Sequence, residues 1–286
     1  DKYNILQAAM ASSERIFKLL DEPEQKLMPD HPHRFKERRG EIEFSDVSFS
    51  YNNADLVLKN VSFNIKAGEK VAVVGATGAG KTTLINLITR LYEPSSGHIF
   101  LDKVDIKDIP VQELRKRIGT VLQDVFIFSG TIRQNITLGN QQIADKTVFE
   151  TSKYVNADKF IVALPDQYDH KLSEKGRNLS TGQKQLLSFA RALAFNPEIL
   201  ILDEATSNID TETEELISDA IYKLMHSRTS LIIAHRLSTI QSVDRTIVLH
   251  KGQVREVGTH KELIAQKGIY YRLYQLQFGK LDIVKN

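Results

Sequence analysis

Apolar residues at the start of the chain recur at helical spacing: Ile5, Leu6, Ala9, Ile16, Phe17, Leu19 and Leu20, with Ser12, Ser13, Glu14 and Arg15 between them. The pattern predicts an amphipathic helix with no start signal of its own, as if it continued an upstream segment. Asp21-Glu22-Pro23 ends it. From Glu41 the period drops to two. Ile42 and Phe44, then Val47, Phe49 and Tyr51, then Leu58, Val61, Phe63 and Ile65 alternate with polar residues. Turn signals at Asn52-Asn53 and Ala67-Gly68 complete a small antiparallel sheet. Residues 71–74 form an all-apolar run that predicts a buried parallel strand, and a helix follows from Thr83.

Farther along, residues 99–101 read as a short strand, Val111–Arg117 as a helix, and residues 118–123 as a strand ending on Gln123. Residues 124–195 change character, with helical patterns and no convincing strand. All-apolar strands return at residues 199–202 and 231–234, separated by a helix reaching about Met225. Residues 246–249 and 253–257 read as a hairpin about Lys251-Gly252, and residues 259–278 as a closing helix or pair of helices. The tyrosines of that last stretch read as packing.

Composition narrows the class. With 286 residues, 41% hydrophobic and 26% charged, the chain is long enough for a large core with appendages or two subdomains. A formal net charge of +2 gives no argument for nucleic acid. The absence of cysteine excludes disulfides, thiolate metal sites and cysteine catalysis. No apolar run approaches the roughly 20 residues that span a bilayer, and no signal-peptide pattern opens the chain. The basic stretch between His31 and Gly40 admits two readings, solvated linker or contact with anionic headgroups.

The chemistry concentrates after the first all-apolar strand. Gly75-Ala76-Thr77-Gly78-Ala79-Gly80-Lys81-Thr82-Thr83 matches the phosphate-cradling pattern G-x-x-x-x-G-K-[ST] in full, between a strand and a helix start. Glycines let successive N–H groups turn inward on an anion, and the helix start adds unpaired donors. Lys81 is expected to neutralise β- and γ-phosphate charge and Thr82 to ligate Mg²⁺. Asp203 and Glu204 end an apolar strand. There an acid is needed for the Mg²⁺ shell, and the next carboxylate is placed to polarise a water for attack on the γ-phosphate. His235 ends the following strand at the edge where that phosphate is expected, and Gln123 also stands at a strand end. Three features stay open. Tyr51 is a base-stacking ring or a rim residue. Ser180 before Thr181-Gly182-Gln183 is a plain helix cap or a second anion-binding helix start. The apolar stretch Phe126-Ile127-Phe128 is core or docking surface.

Taken together in this order, the phosphate loop, Gln123, Leu179-Ser180-Thr181-Gly182-Gln183, the strand into Asp203-Glu204, Asn208-Ile209-Asp210 and His235 resemble the ATP-binding-cassette ATPases over about residues 41–260. Residues 8–20, 124–136 and Glu174-Lys175-Gly176-Arg177 narrow the resemblance to the nucleotide-binding domain of an exporter half-transporter of the multidrug, lipid A and peptide type. The resemblance implies an α/β fold: a P-loop NTPase core with a mostly parallel sheet, an N-terminal antiparallel β subdomain and an inserted helical subdomain near residues 124–195. Residues 1–40 would extend a last transmembrane helix, and residues 261–286 would form a helical tail.

The cofactors implied are ATP and Mg²⁺. By the resemblance, Tyr51 stacks on adenine and residues 75–83 hold the triphosphate. Thr82, Gln123 and Asp203 shape the Mg²⁺ site, Glu204 is the general base, and His235 contacts the γ-phosphate. Ser180, Gly182 and Gln183 reach the ATP of a second nucleotide-binding domain, and Asp210 links the two composite sites. Head-to-tail dimerisation around ATP, a transmembrane domain as partner, a place on the cytoplasmic face of the inner membrane, and no nucleic-acid partner complete the expectation. One departure stands out: Thr181 replaces the first glycine of the usual Leu-Ser-Gly-Gly-Gln. In the family such departures accompany heterodimers with one weakened site. The alternative reading is a soluble cassette ATPase acting on nucleic acid or ribosomes.

Overall fold

The computed structural model describes residues 2–21, 27–29, 32–33, 35, 38–52, 55–203, 211–234 and 236–277, without the side chains of residues 211, 212 and 277. Glu204, Asn208, Ile209, Asp210 and His235 lie outside the described residues, as do His31, Arg34, Lys36, Glu37 and Phe278.

The first helix, α1 (Lys2–Leu20), buries none of its side chains. Its Ile5, Ile16 and Leu20 are 68%, 57% and 72% exposed, so its apolar stripe has no cover among the described residues. Among the described residues no helix is long and apolar enough to cross a membrane.

Strands β1 (Ile42–Phe49) and β2 (Leu58–Ile65) pair antiparallel, with Phe44 opposite Phe63 and Val47 opposite Val61. The interval of three between Phe44 and Val47 is a bulge: the register shifts there, and Asp46 takes φ 49°. That extra residue returns Val47 and Phe49 to the core face. Next come β3 (Lys70–Val74), α2 (Lys81–Ile88), β4 (Ser96–Leu101), β5 (Val104–Asp105), α3 (Val111–Arg117) and β6 (Ile118–Val121). The strand predicted to reach Gln123 therefore ends two residues earlier. β1, β2, β4 and β5 form an antiparallel sheet in the order β2-β1-β4-β5.

The helical region follows: β7 (Gly130–Thr131), α4 (Ile132–Thr137), α5 (Asp145–Tyr154), α6 (Asp158–Ile161), β8 (Lys171–Leu172) and α7 (Thr181–Ala194). Helices dominate it as predicted, but β7 and β8 add a two-residue antiparallel ladder too short to leave a periodic signal. The chain then returns to the sheet through β9 (Ile199–Asp203), α8 (Thr211–Met225), β10 (Thr229–Ile233), α9 (Leu237–Ser242), β11 (Arg245–His250) and β12 (Gln253–Gly258). The closing segment is a pair, α10 (His260–Gln266) and α11 (Ile269–Gln277), separated at Lys267, whose φ is 53°. Glu256 accepts from the N–H groups of Ile269 and Tyr270 and caps the start of α11.

The main sheet runs β12-β11-β3-β10-β9-β6 and is parallel except for its β11–β12 edge. The all-apolar strands sit in its middle, and their alternate side chains feed two cores. Val71, Val73, Ile201, Leu231 and Ile233 pack with Leu84 and Leu87 of α2 and with the antiparallel sheet. Ala72, Leu200, Leu202 and Ile232 pack with Leu186 and Leu187 of α7 and Ile217 of α8. Each fully buried Leu or Ile contributes about 1.5–3 kcal/mol, so strands apolar on both faces have a strong reason to be central.

A buried ion cluster fixes the linker to this body. Arg117 is only 1% exposed at its side chain and pairs with Asp102 and Glu198, while Phe35 lies 4.3 Å under its guanidinium carbon. Asp102 also accepts from the N–H groups of Arg39 and Glu41. Arg117→Met would take from Asp102 and Glu198 the buried cation they share, at a cost of about 3 kcal/mol, the low end for a broken buried pair because Asp102 keeps its two N–H donors. The expected result is a lowered denaturant midpoint with nucleotide affinity retained in the folded fraction, checked by chemical unfolding and calorimetric titration.

Candidate active site

Parallel pairing brings three strand ends level. Val73 of β3 stands opposite Ile233 of β10, and Ile233 stands opposite Asp203 of β9. The loop leaving β3 and the carboxylate ending β9 therefore lie along one edge, two strand spacings of about 4.8 Å apart. In sequence, His235 comes two residues after β10 and Glu204 one residue after Asp203; both lie outside the described residues.

α2 begins on Gly80, whose φ of 105° belongs to the left-handed region and is natural only to glycine. No side chain caps this helix, so its first N–H groups remain available to an anion. Residues 76–78 are exposed, whereas Ala79 and Gly80 are buried. Lys81 folds back over the loop: its Nζ donates to the carbonyl oxygens of Gly75 at 2.8 Å and Ala76 at 3.1 Å. Burial lowers the Lys81 pKa from its usual value, and the charge of Asp203 opposes that shift. The ammonium thus sits partly desolvated within reach of one carboxylate's field, an arrangement that a polyphosphate would complete.

Thr82 is exposed at the mouth of the loop, and the half-buried Asp203 ends β9 along the same edge. Their hydroxyl and carboxylate oxygens form a hard donor set that fits Mg²⁺, which takes one or two protein ligands and fills its octahedron with phosphate oxygens and water. No group of three or more His, Cys, Asp or Glu able to hold a metal alone occurs among the described residues.

Tyr51 lies just past β1, and its hydroxyl is 3.1 Å from Thr83 Oγ1. The rim residue and the candidate stacking ring are therefore one and the same, attached to the first turn of α2. Gln123 follows β6 at this same edge, since Val121 stands opposite Leu202 of β9. Exposed in the loop after β6, it lines a cavity of about 200 Å³ with Asp124, Val125 and the α7 residues Thr181, Lys184 and Gln185.

At the start of α7 the plain reading of Ser180 holds: it is a helix cap. Gln183 N–H donates to Ser180 Oγ at 3.2 Å, and Ser180 N–H donates to Gln183 Oε1 at 3.0 Å. This reciprocal box leaves the N–H groups of Thr181 and Gly182 for another acceptor, so the cap does not exclude a second anion site. The Thr181 side chain is exposed at this tip. The Phe126–Phe128 question also divides: Ile127 is fully buried, while Phe126 and Phe128 are 53% and 51% exposed.

A family model described as ABC transporter matches residues 58–207, which include the phosphate loop, Gln123, Ser180–Gln183 and Asp203. The chain belongs to the ABC transporter family. It is 49% identical over 280 residues to the ABC transporter ATP-binding protein YfiC of Bacillus subtilis, covering 98% of this chain and 46% of that protein. It is 44% identical over 275 residues to an ATP-dependent lipid A-core flippase of Syntrophus aciditrophicus, covering 96% of this chain and 46% of the flippase. Among solved structures, a bacterial Atm1-family ABC exporter with ATP bound superimposes with a TM-score of 0.85 at 36% identity, over 96% of this chain and 48% of that one. The chain spans about half the length of the curated relatives it matches.

The fold is thus that of an ABC exporter's ATP-binding domain, a P-loop NTPase core of α/β class. Within it, Tyr51, the loop from Gly75 to Thr83 and Asp203 converge on one edge; Gln123 leaves β6 along that edge and borders the α7 tip, where Ser180–Gln183 form a donor-bearing helix start. Sequence reasoning passed over Asn86, Tyr92 and Thr213. Asn86 was detectable from its spacing of three from Thr83 on the same helix face. Thr213 carried no local signal. It is met only in space, where a Cβ added to Gly182 would run into its methyl group. Gly182→Ala is therefore expected to destabilise the α7–α8 contact by about 1–3 kcal/mol, and Thr213→Ser in the same chain to recover most of that loss. Paired denaturation curves of the single and double variants check it.

Proposed function

We propose that this ATP-binding domain hydrolyses ATP to drive export by a membrane transporter, pairing head to tail with a second nucleotide-binding domain. The observation that carries the reading is the shared edge of β3, β10 and β9, where Lys81 feels the carboxylate of Asp203. Lys81 and the loop amides take the triphosphate, and Thr82, Asp203 and Gln123 form the Mg²⁺ site. When bound, Mg²⁺ neutralises charge across the β- and γ-phosphates. Glu204 accepts the proton of the attacking water, His235 contacts the γ-phosphate, and Tyr51 stacks on adenine.

The tip of α7 closes the other side of a partner's γ-phosphate through Ser180, Gly182 and Gln183, and excludes water from it. Asp210 links the paired sites. The uncovered stripe of α1 and the exposed rings of Phe126 and Phe128 are apolar surfaces suited to a transmembrane domain. The proposed site of action is the cytoplasmic face of the inner membrane. ATP becomes the interface adhesive, since each molecule of it is held from both sides.

Glu204→Gln tests the assignment of the base. Hydrolysis is expected to fall about 10²–10⁴-fold while ATP binding persists and the domains accumulate as an ATP-bound dimer. Phosphate release and light scattering read the two effects; unchanged hydrolysis without dimer would overturn the assignment.

Thr181 argues for a heterodimer. Its side chain stands where backbone would otherwise approach phosphate, so this chain is proposed to keep an intact catalytic half-site while lending a weaker tip to its partner's ATP. In the assembled transporter, Thr181→Gly should raise turnover at the partner's site. Single-turnover measurement with the other site disabled resolves it, and an unchanged rate counts against the heterodimer.

A further inference from the structure

The aromatic at the rim of the phosphate loop does not stand alone. Tyr51 is 42% exposed and lies beyond the end of its strand, where a side chain ordinarily keeps rotamer freedom that binding must remove. Here its phenol is held at two points. The hydroxyl lies 3.1 Å from Thr83 Oγ1 and accepts from Asn86 Nδ2 at 3.2 Å. Thr83 and Asn86 are three residues apart on α2 and so share a face.

The ring is held as well. It meets Phe49 edge-on, with centroids 4.8 Å apart and planes at 85°, and meets Tyr92 likewise at 5.0 Å and 89°. Phe49 and Tyr92 touch each other at 5.7 Å, closing a triangle of three rings. Phe49 is buried in the core, whereas Tyr92 is exposed and lies in the turn four residues past the end of α2. The carbonyl of Asn86 accepts from the N–H groups of Leu91 and Tyr92, at 2.8 and 3.4 Å. One residue thus binds the hydroxyl of Tyr51 through its amide and the backbone of Tyr92 through its carbonyl.

From this geometry we infer that Asn86 and Tyr92 are positioning residues for the nucleotide base. They hold Tyr51 as a pre-set stacking platform, fastened to the same helix whose N-terminus cradles the phosphates. The inference rests on the nucleotide reading of the site and deepens it. Because α2 carries both subsites, the span from phosphate to base is set before binding, and the ligand selected is a nucleoside triphosphate rather than a bare polyphosphate. Ring edges and hydroxyl bonds restrict different motions of Tyr51, so loss of either Asn86 or Tyr92 is expected to weaken the platform.

The test compares ATP with inorganic tripolyphosphate, by calorimetric titration of the full chain. Tyr92→Ala and Asn86→Leu should each weaken ATP binding about five- to tenfold, a fraction of the stacking contribution of a base, with tripolyphosphate affinity unchanged within twofold. Tyr92→Phe keeps the ring and should bind ATP as the wild type does. Tyr51→Ala should lose at least as much ATP affinity as either variant, and Lys81→Ala should lose both ligands. If Tyr51→Ala weakens ATP while Tyr92→Ala and Asn86→Leu do not, the inference is overturned and the nucleotide site stands. Parallel loss of ATP and tripolyphosphate in Tyr92→Ala or Asn86→Leu would show damage to the phosphate loop and overturn it too. Indifference of both ligands to Lys81→Ala would instead sink the nucleotide reading itself.

Discussion

A partly desolvated ammonium is the constraint around which this domain is organised. Burial pushes the Lys81 pKa down, its ammonium donates to the carbonyls of Gly75 and Ala76, and Asp203 supplies the opposing charge. A cation in that position is tolerable only when the surrounding backbone is held rigidly enough to keep its acceptors in place. The rigidity comes from β3, whose residues from Val71 to Val73 are fully buried between β10 and β11. Without that central strand the loop would have no fixed origin, and the field of Asp203 would not reach a defined point. The apolar cores on either side of the sheet thus serve the charge chemistry at its edge.

Much of the fold could be read because its determinants are local. All-apolar runs at β3, β9 and β10 leave few choices except central strands, and the α7 start carries a capping box in four consecutive residues. The phosphate loop is legible for the same reason, since its glycines and lysine act within nine residues of chain. What escaped was set by space. Among the described residues β6 pairs with β9 alone and no farther than Val121 opposite Leu202, so Gln123 leaves the strand at the edge and borders α7. The β7–β8 ladder joins residues about forty positions apart, and no pattern in either dipeptide announces it.

The site divides along the same line. Asp203 was identifiable as a carboxylate ending an apolar strand, but its influence on Lys81 depends on β10 lying between β3 and β9. In the sequence Tyr51 reads as either rim or stacking ring, because a period-two pattern says which face a side chain takes and nothing about its hydroxyl. The bonds to Thr83 and Asn86 resolve its place, joining a residue of the antiparallel sheet to a helix of the parallel one. Residues of that kind connect subdomains, and connection is what single-stretch reasoning cannot supply.

The two helix starts, of α2 and α7, show how similar local chemistry is adapted to different ends. At α2 the cap position is a left-handed glycine with no side chain to spend on the first turn, so the donors face outward undivided. At α7 Ser180 and Gln183 satisfy one another, which stabilises the helix by roughly 1 kcal/mol but engages the very groups that a ligand would seek. A phosphate arriving there would meet the Thr181 and Gly182 amides first and compete with the box for the rest. The α2 start is built to hold a ligand on its own, whereas the α7 start is self-sufficient and contributes only when something else presents the ligand to it. That asymmetry supports the composite site proposed above: a strong cradle would fix the triphosphate, and the weaker, self-capped tip would gain from an anion already held in position.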